Sequence, residues 1–435
     1  MVSMYKIKCM LNVFKARREA LCKNLPEHSL VIIPGAREKL RNGDNYYAFR
    51  QSSDFYYLTG FNEPDAVLVL LKERETKALL FNRPSDPALE RWTGPRLGQE
   101  GAAKTLGVDE AYAIESLRAK LPELIANKAA LYYPLEQDMG YESMIRSAWR
   151  EVNKKKSRIR VAPEALKDIR PIIAVLRVIK DKYELDALRE AQRISIAAHE
   201  SVMKHVQKAK HEYELEAEFM YKLGYHGCKD VAYPPIVAGG ERACILHYTD
   251  NNQALDDNDL LLIDAGAEVL GYAADITRTY PISGKFSQEQ RAIYDIVLQA
   301  QEEAIKLIKP GLPWDAIQGK IVDVMSEGLL ALGVIAKACE LQNFYMHSSG
   351  HWLGLDVHDA GAYQLDGEPR QLEANMVLTV EPGIYIDPNC KEVDECWRGI
   401  GIRIEDDIIV TKQGYENLTE ALVKDPDELE KMICG

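Results

Sequence analysis

The chain has 435 residues, of which 46% are hydrophobic and 28% are charged, and its formal net charge is −13. This length exceeds a single hydrophobic core and predicts two or three domains, while the acidic balance argues against a nucleic-acid partner. No apolar run approaches the roughly 18 residues that span a bilayer, and no secretory signal is recognisable, so we predict a cytoplasmic protein without a membrane partner.

The first part of the chain, residues 1–172, alternates strand and helix patterns, which indicates an α/β layer domain. Strands are predicted at residues 30–35, 55–60, 66–71 and 77–81, and helices at residues 99–104 and 114–127. His28 is the only histidine here. A scaffold or interaction role is therefore favoured over chemistry. A basic run at residues 154–160 is interpreted as a solvated face near the end of the domain.

The domain boundary is predicted at residues 168–171. Pro171 disfavours a helix at the residue before it and suggests an extended linker. Residues 173–435 then form the second domain. Asp181 and Glu184 have the spacing of a capping box, so a helix is predicted to begin there. Further helices are predicted at 288–309 and 314–332, with strands and loops over most of the remainder.

Residues 260–279 have the pattern of a β-hairpin, with a turn centred on Val269 and Leu270. This register places Asp264 directly opposite Asp275, with Cβ atoms roughly 4.5–5.5 Å apart. Like charges repel there, and an unpaired buried carboxylate is costly. A divalent metal between the two is one solution. The alternative is that one carboxylate pairs with a distant arginine while the other is solvated.

Other residues that could belong to a site follow at strand ends and in glycine-containing loops. Glu381 stands where an apolar strand ends in Glu-Pro-Gly, and Arg403 and Glu405 share one face of an alternating strand. Each has a purely structural alternative: a satisfied core histidine, a turn carboxylate in water or a solvated strand face. Four histidines are further candidates, because they lie in short apolar or glycine-containing segments: His247, His347, His351 and His358.

Taken together, the candidate ligands are four carboxylates and one imidazole: Asp264, Asp275, His351, Glu381 and Glu405. Such a set suits two hard divalent cations better than a zinc ion held by thiolates, and it favours Mn²⁺ over Zn²⁺. Two neighbouring metals would share bridging carboxylates and hold a hydroxide as nucleophile.

These motifs resemble those of the pita-bread metallopeptidases, and specifically the proline-specific branch, aminopeptidase P of the bacterial type. The ordered site residues carry the resemblance, and it extends to the N-terminal motifs at residues 54–64 and 92–98. One departure is Pro234-Pro235, where the family would have a polar pair. The resemblance implies an N-terminal α/β domain followed by a pita-bread domain, an α/β (α+β) fold overall.

The implied activity is that of a dinuclear metal-dependent aminopeptidase, which releases the N-terminal residue of peptides that have proline second. A metal-bridging hydroxide would attack the carbonyl of the first residue. Asp275 and Glu405 would bridge the metals, and Glu381 would also carry the proton to the leaving proline nitrogen. His247 and His358 would stabilise the oxyanion or hold the substrate backbone.

The resemblance also implies residues that contact the substrate. His347, Arg403 and Tyr385 would shape the pocket for the proline ring, and Tyr233 would contact the substrate. Trp92 matches a tryptophan that helps to wall the site across subunits, which implies a homo-oligomer, either a dimer or a tetramer.

Three alternatives remain open. A prolidase, which accepts only Xaa-Pro dipeptides, would share the same ligands, although the N-terminal resemblance favours aminopeptidase P. A methionine aminopeptidase usually lacks so large a preceding domain. A non-catalytic peptide-binding module on the same fold would be expected to have lost ligands, whereas all five are present here.

Overall fold

The computed structural model describes residues 4–154 and 160–434. The chain divides into two compact units, Met1–Leu176 and Arg177–Gly435. Most of the basic run at residues 154–160 lies outside the described residues, so its predicted solvation stays a prediction.

The N-terminal unit is built on a six-stranded mixed sheet with the order β6-β5-β4-β1-β7-β8. Its core strands are apolar: Leu30, Val69 and Phe81 are at most 1% exposed and belong to one cluster. The elements of this unit, the last of which runs into the second unit, are α1 Met4–Lys23, β1 Ser29–Pro34, β2 Leu40–Asn42, β3 Asn45–Tyr46, α2 Ser53–Thr59, β4 Val67–Lys72, β5 Thr76–Asn82, α3 Pro87–Thr93, α4 Gly98–Leu106, β6 Glu110–Ala113, α5 Leu117–Ile125, β7 Ala130–Tyr133, α6 Met139–Lys154, β8 Ala165–Asp168 and α7 Arg170–Val178.

The strand predicted at residues 55–60 is wrong, because this segment forms helix α2. A short apolar run fits a buried helix as well as a buried strand. Two features favour the helix here. The Thr59 hydroxyl donates to the Phe55 carbonyl at 2.7 Å, and Gly60 takes the left-handed conformation (φ 65°) that ends helices. The other strands and helices predicted for this unit are confirmed, with boundaries shifted by a few residues.

The extended linker predicted at residues 168–171 is also wrong. Helix α7 begins at Arg170 and contains Pro171 in its first turn. Proline is tolerated there because the amide groups of the first turn have no partner within the helix. The Asp168 side chain accepts the Arg170 backbone N–H at 3.0 Å and thereby caps the helix.

The C-terminal unit consists of long helices packed against several short antiparallel sheets. The three sheets that matter for the site have the orders β10-β11-β14, β17-β20-β21 and β18-β19. The elements are α8 Lys182–His205, α9 Glu212–Tyr225, β9 Asp230–Val231, β10 Ile236–Gly239, β11 Leu260–Asp264, β12 Ala267–Val269, β13 Tyr272–Ala273, β14 Thr277–Pro281, α10 Gln288–Leu307, α11 Asp315–Leu332, β15 Gln364–Leu365, β16 Glu368–Pro369, β17 Val377–Val380, β18 Gly383–Tyr385, β19 Gly401–Arg403, β20 Asp406–Val410, β21 Tyr415–Asn417 and α12 Pro426–Cys434.

The three helices predicted for this unit are confirmed as α8, α10 and α11. The capping box of α8 is present: the Glu184 N–H donates to Asp181, and the Asp181 N–H donates to Glu184, both at 3.0 Å. Gly333 caps α11 with φ 70°. Among the described residues, no helix is both long and apolar enough to cross a membrane.

The predicted hairpin exists, but its turn lies one residue later. Strands β12 and β13 are joined by Leu270-Gly271, both with positive φ (53° and 82°), which is a type I′ turn. Glycine supplies positive φ at the second turn position, whereas a turn on Val269 would strain a β-branched residue. Asp264 consequently pairs with Thr277 rather than Asp275. The two aspartates are diagonal neighbours on one face of the ladder.

The alternating strand predicted at residues 399–406 is interrupted. Strand β19 ends at Arg403 and β20 begins at Asp406, so Glu405 lies in the break between two sheets. Glu381 lies in a similar break, between β17 and β18. Both glutamates therefore project from positions where the chain leaves one sheet for another.

Gly266 lies inside the hairpin, where a Cβ atom would overlap the backbone carbonyl of Ala274. We predict that Gly266→Ala destabilises the C-terminal unit by about 1–3 kcal/mol, because the ladder must separate to admit the methyl group. The measurement is the midpoint of thermal unfolding. Gly319→Ala is the control, since that helical position has open space around it and should tolerate or benefit from alanine. Equal effects of the two substitutions would contradict the prediction.

Candidate metal centre

The hairpin, the two chain breaks and the loop at residues 347–359 bring the candidate ligands together. Asp264 ends β11, and Asp275 precedes β14. Glu381 and Glu405 come from the two breaks, and His351 comes from the loop. The structure therefore brings the five candidate ligands near one another, with Asp275, His351 and Glu405 as the closest group.

Asp264 is held by two neighbours. The Arg403 Nη2 donates to its Oδ2 at 2.6 Å, and the Tyr233 hydroxyl donates to its Oδ1 at 2.6 Å. The same hydroxyl oxygen also lies within hydrogen-bond distance of Asp275 Oδ1, so its single hydrogen is shared between the two carboxylates. Tyr233, predicted to contact the substrate, thus turns its hydroxyl towards the two carboxylates. Arg403 is 4% exposed, so this ion pair is buried.

Asp275, His351 and Glu405 form the tightest part of the cluster. Ligand atoms from these three residues all lie within 4.8 Å of one another. The Thr277 hydroxyl donates to Glu405 Oε2 at 2.7 Å, which orients that carboxylate. Carboxylate oxygens and an imidazole nitrogen converging in this way could hold a divalent cation.

His351 presents its Nε2 to the carboxylates. Nε2 lies 3.3 Å from Asp275 Oδ2 and 3.5 Å from Glu381 Oε1, while Nδ1 lies 3.1 Å from the Trp352 carbonyl oxygen. A hydrogen bond from Nδ1–H to that carbonyl would leave Nε2 to bind a metal. The adjacent Gly350 is needed because a Cβ atom there would overlap the Thr379 carbonyl.

The site holds more negative charge than its cations balance. Four carboxylates are accompanied by one guanidinium and one imidazole, and Arg403 is committed to Asp264. Burial raises the pKa of Glu405 well above its usual range, and neighbouring Asp275 raises it further. Burial also raises the pKa of Glu381 to about 7, against the opposing effect of His351. Divalent cations would relieve this imbalance, so the residues fit a metal centre.

The pKa of His351 is also raised, but by neighbouring carboxylates rather than by burial. Burial alone would lower the pKa of its imidazole, but Asp275 and Glu381 outweigh burial and raise the pKa to about 9. In the absence of a metal, this proton partly offsets the charge of the carboxylates. A metal ion and this proton would compete for the same Nε2 atom.

Three other predicted residues, His347, Tyr385 and His358, lie next to the cluster. His347 Nε2 lies 2.9 Å from the Tyr385 hydroxyl, to which Arg403 Nη1 donates at 2.9 Å. Burial lowers the pKa of His347 to about 4, so its ring is neutral at pH 7. The exposed His358 has its ring centroid 4.1 Å from that of His351.

His247 lies on an exposed turn that follows the 3₁₀ helix Gly240–Cys244. Trp92 belongs to α3 of the N-terminal unit, where 87% of its surface is exposed.

The sequence reasoning missed three supporting residues. Thr277 and Thr379 donate to Glu405 and Glu381, and the Asp275 N–H donates to Asp407 Oδ2 at 2.9 Å. A signal for Asp407 was available: three consecutive acidic residues enter an apolar strand, and each would have to find a buried partner. The two threonines carried no comparable signal.

Two family descriptions match the chain. "Metallopeptidase family M24" matches residues 186–412, and "Aminopeptidase P, N-terminal domain" matches residues 14–132. The chain belongs to metallopeptidase family M24. The Xaa-Pro aminopeptidase of Escherichia coli K12 is 44% identical over 97% of both chains. The Xaa-Pro aminopeptidase of Haemophilus influenzae is 41% identical over 99% of both.

Solved structures agree with this assignment. A variant of Escherichia coli aminopeptidase P in complex with substrate matches with a TM-score of 0.94 and 42% identity, covering 98% of each chain. The predicted resemblance and fold class are thereby confirmed: an α/β N-terminal unit and a C-terminal unit of the pita-bread type. The roles assigned to individual residues stay predictions.

The pKa values of His351 and Glu381 predict how metal uptake depends on pH. Below about pH 7 the metal-free site holds protons on both groups, and a cation must displace them. We expect the apparent affinity for Mn²⁺ to rise from pH 6 to pH 9 and binding to release protons. Titration calorimetry in two buffers of different ionisation enthalpy measures this release. His351→Gln should release about one proton fewer; an affinity independent of pH would contradict the prediction.

Proposed function

We propose that this protein is a metal-dependent Xaa-Pro aminopeptidase, which releases the N-terminal residue from peptides with proline at the second position. The observation that carries the proposal is the buried, under-compensated cluster of Asp264, Asp275, Glu381, Glu405 and His351. It lies in a chain that resembles aminopeptidase P along nearly its whole length. A prolidase confined to Xaa-Pro dipeptides is the alternative that shares these ligands.

The donor set fits divalent cations, which Asp264, Asp275, His351, Glu381 and Glu405 would hold. When bound, they would supply a Lewis acid for the scissile carbonyl and an activated water as nucleophile. Mn²⁺ is the proposed metal, since oxygen donors dominate and no thiolate takes part.

Glu381 is suited to proton transfer. A carboxylate beside the metal cluster can accept a proton from the attacking water and return it to the leaving nitrogen. Thr379 Oγ1 lies 3.3 Å from Glu381 Oε1 and orients it. Glu381 would therefore hold the proton that passes to the proline nitrogen as the peptide bond breaks. His247 and His358, both exposed, would stabilise the oxyanion or hold the substrate backbone.

His347, Tyr385 and Arg403 form a linked wall that would receive the proline ring. The linkage runs from neutral His347 through the Tyr385 hydroxyl to the Arg403 guanidinium. A rigid pocket suits proline, whose bond to the first residue is a tertiary amide without an N–H. Peptidases that recognise that N–H would fail on such a bond.

A homo-oligomer and a cytoplasmic location belong to the same proposal. The exposed face of Trp92 supports an oligomer in which this tryptophan covers the site of another subunit. No residue of α3 is buried. The helix therefore offers Trp92 no buried surface of its own to pack against, which fits a contact with another subunit.

The decisive experiment uses protein stripped by a chelator and reloaded with Mn²⁺. Hydrolysis of Xaa-Pro-Yaa-Zaa should return with the metal, and the matched peptide with alanine in place of proline should be a poor substrate. Cleavage of Xaa-Pro dipeptides alone would favour prolidase. Equal activity with and without metal would overturn the proposal.

Asp264→Ala tests the site directly. We expect loss of both metal loading and hydrolysis, because the substitution removes a ligand and leaves Arg403 buried without its carboxylate. Metal content by mass spectrometry and turnover of Xaa-Pro-Yaa measure the two effects. Asp257→Ala, at an exposed turn position of the same unit, should leave both unchanged. A fully active Asp264→Ala protein would contradict the site assignment.

Trp92→Ala tests the proposed wall. A largely exposed side chain contributes little to folding, so the thermal midpoint should hardly change. Turnover of Xaa-Pro-Yaa-Zaa should fall, since the tryptophan would cover another subunit's site. Leu89→Ala in the same helix is the control, and light scattering reports the oligomeric state. An unchanged kcat/KM in an intact oligomer would contradict the role of Trp92.

A further inference from the structure

Glu212, the first residue of α9, has a fully buried carboxylate outside the metal centre. Its Oε1 accepts hydrogen bonds from the Gly239 N–H at 2.9 Å and Arg242 Nε at 2.6 Å. Its Oε2 accepts from the Tyr248 hydroxyl at 2.7 Å and the Gln253 N–H at 2.9 Å. Four donors therefore meet on one carboxylate.

These four donors lie along a single stretch of the chain, the end of β10 and the connection to β11 at residues 240–259. Gly239 ends β10, Arg242 lies in the 3₁₀ helix, and Tyr248 and Gln253 follow it. Arg242 Nη2 also donates to the Ala254 carbonyl at 3.0 Å. The Glu212 carboxylate therefore holds this stretch at four positions, from Gly239 to Gln253.

His247 lies in the middle of this connection, immediately before Tyr248. Among the described residues, none forms a hydrogen bond with its imidazole, and the residue is exposed. Its position therefore depends on the backbone of the connection rather than on contacts of its own ring. The nearest anchor of that backbone is the hydrogen bond from Tyr248 to Glu212.

Burying a carboxylate costs free energy unless its oxygens accept hydrogen bonds. The connection must therefore keep its donors in place around Glu212. Arg242 supplies the opposite charge, and the other three donors fix direction. Removal of one acceptor oxygen would leave buried donors unpaired and loosen the connection.

We propose that Glu212 is a positioning residue that sets the location of His247 relative to the metal centre. This inference rests on the proposed function in one respect, the contact of His247 with the substrate. The hydrogen bonds of Glu212 reach none of the candidate metal ligands, and it would act through the connection at residues 240–259. A displacement of about 1 Å at such a residue can lower turnover by up to about a hundredfold.

The test is a double-mutant cycle between Glu212→Gln and His247→Ala. Glutamine keeps the shape but replaces an acceptor oxygen with a donor group. We expect Glu212→Gln to lower kcat/KM for Xaa-Pro-Yaa by roughly tenfold or more. In the His247→Ala background the same substitution should have almost no further effect. Equal losses in both backgrounds would overturn the proposal, because Glu212 would then act independently of His247.

The control is Glu214→Gln, in the first turn of the same helix, where the carboxylate is exposed and bonded locally to His211 and the Lys210 N–H. It should leave kcat/KM unchanged. Tyr248→Phe provides a milder variant that removes one of the four donors and spares the carboxylate. It should shift kcat/KM in the same direction as Glu212→Gln, and it keeps the test informative if glutamine at position 212 prevents folding.

Hydrogen exchange gives a readout that does not depend on hydrolysis. Amides in residues 239–253 should exchange faster in Glu212→Gln and in Tyr248→Phe, while Mn²⁺ content stays at the wild-type level. Unchanged exchange in that segment would overturn the inference even in an active enzyme. Faster exchange in a protein whose wild type cleaves no Xaa-Pro peptide would instead overturn the proposed function and leave the anchor in place.

Discussion

The metal centre depends on one constraint, namely that the Arg403 guanidinium is already bound to Asp264. That ion pair neutralises one of the four buried carboxylates. It leaves Asp275, Glu381 and Glu405 to share the single imidazole of His351. In a low-dielectric interior such an excess of negative charge cannot persist, so protons or cations must enter. The raised pKa values of Glu381 and Glu405 show that protons enter when no metal is bound. Binding of metal ions is the other way to balance the charge.

This constraint changes the reason for expecting a metal. From the sequence, the repulsion between Asp264 and Asp275 and the lack of a nearby cation pointed to a metal. The structure supplies a cation to Asp264 from a strand 139 residues away and a bridging hydroxyl from Tyr233. The alternative of an aspartate paired with a distant arginine therefore holds for Asp264. The case for the metal now rests on the three carboxylates that remain.

The sequence was sufficient where local chemistry decides the structure. The capping box of α8 and the later helices α10 and α11 were predicted because neighbouring residues determine them. It was insufficient where a short pattern fits two structures or where distant contacts decide. The apolar run at residues 55–60 fits a strand as well as a helix, and the left-handed conformation of Gly60 that ends the helix is seen only in the structure. The break before Glu405 depends on β19 and β20 pairing with different sheets, β18 and β17, which no local pattern reveals.

The site residues are held in two different ways. Asp264 belongs to a strand ladder, and Asp275 lies two residues before the strand that pairs with it, while His247 and His358 lie in loops without regular backbone pairing. Each of those loops is anchored by a buried carboxylate instead. Glu212 holds the first, and Asp359, bound by Lys180 at 2.7 Å and by Arg177, holds the second. Rigid strands suit a metal, which demands fixed ligand distances. Loops anchored by a buried carboxylate suit the substrate-contacting role proposed for these two histidines, because the anchor fixes the backbone that carries each ring.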